Sequence, residues 1–335
     1  MTMQAREKLI LTNFQAPGDI LMLTAAVRDL HKCYPNKFAT DVRTSCAELW
    51  ENNPYLTPLD AQNPEVQTIE CHYPLIQASN QRPVHFLQGF MDYLNEQLRL
   101  RIRPTVFGGD IHLSDAEKAA SSPVKEYTGS DVPYWIIVAG GKYDFTIKWW
   151  HFRRWQAVVD HFRGKILFVQ VGNTDDYHPP LKNVLDLRGK TRLRDLVLLT
   201  YHAQGVLCPV TFLMHLAAAV ECRDPRLKAR PCVVVAGGRE SPHWEAYPTH
   251  QFIHAVGALP CCAQAGCWRS RIVPIGDGDE KDHPEHLCLD VRAGMPRCMQ
   301  MITPEEVTRR IEYYFEGGQV RFLAPDTANK NLMKE

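Results

Sequence analysis

The sequence predicts an α/β protein made of two doubly wound parallel sheets that face each other across a cleft. Three observations predict it. At 335 residues the chain exceeds what one hydrophobic core usually serves. Short apolar runs alternate with amphipathic helical stretches over residues 8–100, and the alternation begins again at residues 135–236. Between them, over residues 114–132, the composition turns to Ser, Ala, Lys, Glu and Gly, as a linker's does.

Taken in order, residues 8–14 read as a strand that Gln15-Ala-Pro-Gly18 breaks. Ile20, Leu23, Ala26, Val27 and Leu30 then recur at helical spacing until Pro35-Asn36. Residues 38–42 form the next strand, followed by a helical piece at 47–50, a turn at 52–54 and a strand at 66–71. Pro83 opens a helix over 84–100, apolar at Phe86, Leu87, Phe90, Leu94 and Leu98. The second alternation gives strands at 135–138, 165–171 and 184–187, with helices at 150–162 and 193–201. Residues 206–208 form a buried strand, a Pro-containing turn follows, and a helix of small and apolar residues carries His215 one turn in. The β-branched run 231–236 is another buried strand. The helix 304–315 is expected to return toward the first domain. The division is residues 1–125, residues 126–303 with a cysteine-rich segment at 258–300, and a helix and tail at 304–335. The two sheets are expected to be of similar size.

Lys and Arg together equal Asp and Glu at 38 each, so no bulk field recruits nucleic acid or an acidic membrane. No run approaches 18 apolar residues, so no transmembrane helix is expected. Residues 1–8 are polar and lead straight into Leu9-Ile10-Leu11, unlike a signal peptide. A cytoplasmic, reducing setting is therefore expected, and the 11 cysteines do not read as a disulfide framework.

Open α/β sheets bind ligands at the carboxyl ends of their strands, so the chemistry is sought there. Gly18-Asp19 lies at the first strand-to-helix turn, where a carboxylate can take a proton from a hydroxyl or simply cap the helix. Gly140-Gly141 lets the backbone approach a ligand, and Thr146 and Lys148 can offer a hydroxyl and an ammonium to a diphosphate. The alternative is a solvated loop with a surface lysine, and the stretch is not a P-loop. The helix that begins near Thr211 offers free N–H groups to an anion, unless Leu213, Leu216, Ala217 and Val220 mark one more packing helix. Glu240 can hold ribose hydroxyls or a base edge, and Arg239 can reach a phosphate or pair with Glu240.

Five cysteines fall in residues 261–298, a stretch dense in Gly, Asp and Pro that can build little core. A thiolate-bound metal would explain its order. Cys262, Cys267, Cys288 and Cys298, with Cys261 as substitute, suit structural iron or zinc. Free thiols or a redox sensor are the alternatives. Cys33, Cys46, Cys71, Cys208, Cys222 and Cys232 read as buried small hydrophobes.

Gly18-Asp-Ile-Leu-Met-Leu-Thr-Ala-Ala-Val-Arg-Asp-Leu30, Tyr34-Pro35 and Asn53-Pro-Tyr55 resemble the opening of the ADP-heptose glycosyltransferases of glycosyltransferase family 9. Lys148-Trp-Trp with Trp155, Met214-His-Leu-Ala-Ala-Ala219, and the strand with Gly237 and Trp244 are similar to later segments of that family. The cysteine segment resembles that of the autotransporter heptosyltransferases, in which four cysteines hold an iron. The resemblance implies the GT-B architecture, two facing Rossmann-like domains with an interdomain cleft. It implies inverting transfer of a heptose from ADP-heptose to an acceptor hydroxyl, with no divalent metal at the reaction centre. By this resemblance Asp19 is the base, Lys148 binds phosphate, and Thr211, Phe212 and His215 form the donor helix. The family's Asp-Thr-Gly before this helix is here Val210-Thr211-Phe212, and Phe212 crowds the donor's approach. By that resemblance the cysteine segment implies a protein Ser/Thr acceptor. Alternatives are a lipopolysaccharide core sugar, a small metabolite, or a nucleotide-sugar-binding protein without catalysis. His85, Arg99, Arg101 and Arg103 hint at an approach surface for a lipid-linked acceptor at the inner membrane face. A homo-oligomer is compatible with the sequence.

Overall fold

The computed structural model describes residues 5–73 and 77–324. In the first half β1 (Glu7–Asn13) leads into α1 (Pro17–Cys33), then β2 (Phe38–Thr44), β3 (Val66–Glu70) and α2 (Leu87–Leu98). The three strands are parallel in the order β2-β1-β3. Two short helices, α3 (Asp115–Ala119) and α4 (Lys125–Thr128), occupy the expected linker. Ser114 and Glu117 cap α3 reciprocally, which is why a helix starts in so polar a stretch.

The second half runs β4 (Tyr134–Ile137), α5 (Phe152–His161), β5 (Leu167–Gln170), β6 (Leu185–Asp186), α6 (Leu193–His202) and β7 (Gly205–Pro209). It continues through α7 (Phe212–Ala219), β8 (Cys232–Gly237), α8 (Pro242–Glu245) and β9 (His250–His254). The six strands are parallel in the order β6-β5-β4-β7-β8-β9. Counted from β4 this is the 3-2-1-4-5-6 winding of a dinucleotide-type sheet, whose direction reverses between β4 and β7. An antiparallel ribbon of β10 (Val291–Arg292) and β11 (Met295–Pro296) precedes α9 (Arg297–Met301) and α10 (Pro304–Glu316).

Two expectations need correction. The sheets are unequal, three strands against six. The sequence reading missed β9, whose only neighbour among the described residues is β8. An edge strand paired on one side does not need the unbroken apolar run of a central parallel strand, and His250-Gln-Phe-Ile-His254 lacks one. The final helix does not return to the first domain. Val307, Ile311 and Tyr314 form an apolar stripe that packs α10 on α5 and β8. The Tyr314 hydroxyl fixes it further, its one proton shared between the carbonyls of Cys232 and Thr249, each 3.1 Å away. Residues 325–335 of the expected tail lie outside the described residues.

α1 is buried over its whole length from Ile20 to Leu30, including Thr24, Arg28 and Asp29. A helix buried on every face must be packed on every side. Here it meets β2, α2 and, from the second half, α7. One apolar core therefore runs from Leu9 and Leu23 through Leu213 and Met214 to Ile136, Val206 and Val234. Among the described residues no helix is long and apolar enough to cross a membrane.

Arg194, at the start of α6, straps the two halves together. Its guanidinium meets Glu117 through Nε–Oε1 at 2.7 Å and Nη2–Oε2 at 2.8 Å, and Nη2 also donates to the His112 carbonyl at 2.8 Å. The Arg194 hydrogen bonds hold the Glu117 carboxyl at about 2, against an ordinary 4.5. Removing one partner of such a pair strands the other, so Arg194→Ala is expected to cost about 3 kcal/mol in urea unfolding at pH 7. A depressed carboxyl stabilises above its unfolded pKa and stops doing so as pH falls through its folded one. The gap between wild type and variant should therefore narrow from pH 4.5 down to about 2.

Candidate functional site

The carboxyl ends of β1, β4, β7 and β8 converge on a cleft of about 260 Å³ between the two halves, at the reversal point of the larger sheet. Gly18, Asp19, Lys148, Thr211, Phe212, His215 and Glu240 all line it. Thr146 does not. It is buried, and its hydroxyl accepts the Ile272 N–H at 2.9 Å on the side away from the cleft. The hydroxyl expected to meet a diphosphate instead accepts a hydrogen bond from the cysteine-bearing segment.

Asp19 stands in the first turn of α1, where the Pro17-Gly18 start brings it round to face the cleft. Its Oδ2 accepts the Ala16 N–H at 3.0 Å, so it does cap the helix. Burial raises its pKa above the ordinary 3.8, while hydrogen bonds from Tyr73 and Ala16 and the nearby His215 pull the other way. Tyr73 follows β3 and so marks a second strand end of the smaller sheet at the cleft. Burial, and then Asp19 itself, push its phenol far above 10. A carboxylate with an environment that makes it more basic is suited to accept a proton near neutral pH.

Across the cleft, His215 of α7 is hydrogen-bonded at one ring nitrogen and faces a carboxylate at the other. Nδ1 lies 2.8 Å from the Tyr247 hydroxyl and Nε2 3.2 Å from Glu245 Oε2, all three residues being buried. The ring cannot turn freely toward a ligand. It packs instead against Gly18, where a Cβ would stand 3.8 Å from His215 Cδ2. His85 lies buried beside Phe107 and Tyr247, and burial pushes its imidazole down to about 3. This removes His85 from the expected basic approach surface, although Arg99, Arg101 and Arg103 are exposed.

The charged floor of the cleft is a triad. Lys148 Nζ lies 2.7 Å from Glu240 Oε1, and the Arg239 guanidinium donates to the same oxygen. Burial pushes the Glu240 carboxyl up, but Arg239 and Lys148 outweigh it and hold the group below its ordinary 4.5. Glu240 Oε2 is buried with no partner among the described residues. Formal charges leave the triad at one net positive. Arg239 also stacks over Phe145 at 4.6 Å and Trp268 at 5.4 Å. Beside it, Gly140 has φ +143°, and a Cβ there would stand 1.8 Å from the Tyr177 carbonyl, so only glycine lets this strand exit run so close. Thr211 is the N-cap of α7 but its side chain makes no capping hydrogen bond; Met214 N–H donates to the Thr211 carbonyl at 3.1 Å, which leaves the Phe212 and Leu213 N–H groups for an anion.

Cys261, Cys262, Cys267, Cys288 and Cys298 surround one small cavity of about 10 Å³. A spacing too loose for a metal motif in sequence is thus gathered in space. Every cysteine is a free thiol among the described residues. Burial pushes Cys298 up to about 12 and Cys261 to about 11, and raises Cys267 and Cys288. The donor set fits a thiophilic cation in kind. No group of three or more is arranged as ligands among the described residues. Of the six scattered cysteines, Cys46, Cys71, Cys208 and Cys232 are buried, while Cys33 and Cys222 are only half-buried.

Tyr73, Glu245, Tyr247 and Trp268 escaped the sequence reading. Tyr73 was findable by the strand-end rule, whereas the other three follow no motif and are recruited only by the fold.

No protein-family model matches the chain, and no curated protein matches it. Solved structures do. A glycosyl transferase family 9 protein from Veillonella parvula superposes with a TM-score of 0.60 at 13% identity, over 93% of this chain and 98% of that one. Escherichia coli ADP-heptose LPS heptosyltransferase II gives 0.57 at 15% identity, over 93% of this chain and 100% of that one. The iron-containing dodecameric glycosyltransferase TibC from enterotoxigenic E. coli, also solved with ADP-D-β-D-heptose, gives 0.59 at 18% identity, over 94% and 77%. At these identities the likeness is one of fold: this chain has the two-sheet fold of these glycosyltransferases.

Proposed function

We propose that this protein is an inverting glycosyltransferase that moves a sugar from a nucleotide-activated donor to an acceptor hydroxyl. The observation that carries the reading is Asp19, poised on one wall of the cleft opposite the positive triad and the open N-terminus of α7. Asp19 takes the acceptor's proton, the acceptor oxygen bonds the anomeric carbon, and the bond from that carbon to the diphosphate oxygen breaks on the opposite face. The electron pair leaves with the nucleoside diphosphate. Lys148, Arg239 and the N–H groups at Thr211 and Phe212 stabilise the charge that develops there. The unpartnered Glu240 oxygen takes donor hydroxyls.

The fold likeness to ADP-heptose enzymes makes ADP-heptose the first donor to try. Phe212 in place of a glycine narrows the sugar end. A protein Ser/Thr is the first acceptor to try, with a core sugar or a small metabolite next. Product mass spectrometry with ADP-heptose and each acceptor class tests this, and donor binding without any glycosyl product would overturn it. One observation favours the non-catalytic alternative: the Ala16 N–H already occupies one Asp19 oxygen, as in a purely structural cap.

The cysteine cavity, set beside the iron-containing TibC, supports a structural iron or zinc on Cys262, Cys267, Cys288 and Cys298, with Cys261 in reserve. Such an ion would knit the segment without entering the reaction. Metal analysis of purified protein should return about one ion per chain, falling on Cys298→Ser substitution. A metal-free wild type of full stability would exclude the site. The dodecameric TibC makes a homo-oligomer the expected state in solution.

A further inference from the structure

Residues 266–272 of the cysteine-bearing segment are threaded between the two loops that carry the positive triad. On one side, Cys267 N–H donates to the Gly238 carbonyl at 3.1 Å and Trp268 N–H to the Arg239 carbonyl at 3.0 Å. Arg239 Nε in return donates to the Arg269 carbonyl at 2.7 Å, which fixes the guanidinium that holds Glu240. On the other side, Ile147 N–H donates to the Ser270 carbonyl at 3.1 Å, and Ile272 N–H to the Thr146 hydroxyl at 2.9 Å. Lys148 is the next residue. The approach is so close that a Cβ on Gly266 would stand 2.3 Å from the Arg239 carbonyl.

The same strip reaches the other half of the molecule. Trp268 Nε1 donates to Asn80 Oδ1 and Asn80 Nδ2 donates to the Gly266 carbonyl, both at 2.9 Å. Trp268 holds φ +54°, a left-handed conformation that a bulky residue adopts only when its surroundings enforce it. The enforced turn aims the indole at Asn80 and lays its ring along the cleft beside Arg239.

We propose that residues 266–272 are a positioning element for the donor site, and that Trp268 latches this wall to Asn80 of the first half and so sets how firmly the cleft holds a nucleotide. The proposal rests on the donor reading above. It gives the cysteine-bearing segment a task in substrate binding that metal ligation alone does not. The thiol cavity, bordered by Gly238, Ile147 and Arg269, lies directly behind the strip.

The test pairs Trp268→Phe, which keeps the ring and loses the N–H, with Asn80→Ala and the double variant. ADP binding is measured by calorimetry, and amide exchange by mass spectrometry without ligand. Trp268→Phe should weaken ADP about fivefold, as loss of one hydrogen bond does, and Asn80→Ala at least as much, because it also removes the bond to the Gly266 carbonyl. Trp268→Phe should add nothing in the Asn80→Ala background, because the bond is already gone. Exchange should rise over 143–148 and 266–272 while β7 and β8 stay protected. Multiplying effects, unchanged ADP affinity, or a rise in exchange everywhere would overturn the latch. A wild type that ignores ADP defeats the donor reading instead, and the exchange pattern then still decides whether the latch exists.

Discussion

Replacing Asp19 with Asn lowers kcat about a thousandfold while leaving donor affinity within about twofold, as expected for loss of a general base. An amide of the same shape still accepts the Ala16 N–H, so the helix cap survives and only proton uptake is lost. A thousandfold corresponds to about 4 kcal/mol of transition-state stabilisation. Burial gives the sign of the pH dependence. It raises Asp19 above 3.8, so the acid limb of the wild-type kcat/KM profile should lie above that value and vanish in the variant. Linkage adds a second readout. A carboxyl whose folded pKa is raised contributes its stability below the unfolded pKa and loses it as pH rises through the folded one. The Asn variant escapes that loss, so its melting temperature at pH 7 should equal or exceed that of wild type. Turnover above about a tenth of wild type would reduce Asp19 to a helix cap.

Lys148→Ala should lower kcat/KM about a hundredfold, mostly through the donor. The triad falls from one net positive charge to none, and the diphosphate loses both its attraction and its partner in the transition state. Glu240 then keeps Arg239 alone, so its carboxyl should titrate higher than in wild type. Lys148→Arg restores charge and should recover most of the donor affinity. Unchanged kinetics in the alanine variant would make Lys148 nothing more than the counter-ion of Glu240.

The two residues are legible in the sequence to different degrees. The place of Asp19 at a strand end was legible because a strand, a Pro-Gly break and a helical period mark the turn, whereas its reading as a base came from the family resemblance. Lys148 was legible as a cation near a strand end, but its pairing with Glu240, 92 positions later, was not. Thr146 shows the limit most clearly. It sits two residues from Lys148 in the 3-10 turn Tyr143–Lys148, and that turn sends its hydroxyl away from the cleft into the cysteine-bearing segment. No periodicity over so short a turn tells one side from the other. The cysteines fall between these cases. Composition marked the segment as dependent on its thiols, and the fold alone brought Cys262 and Cys298 round one cavity.

The sequence by itself determined the parallel α/β layers, the strand ends where a ligand belongs and the carboxylate at the first of them. These follow from backbone periodicity and turn chemistry, which act over a few residues. Only the tertiary structure decided that the larger sheet takes six strands among the described residues, that α10 stays with it, that His215 bonds Tyr247 and faces Glu245, and that Trp268 reaches Asn80. Those outcomes depend on which surfaces meet once the sheets pack. Side-chain pairing and desolvation act through space, between residues that local sequence spacing does not relate.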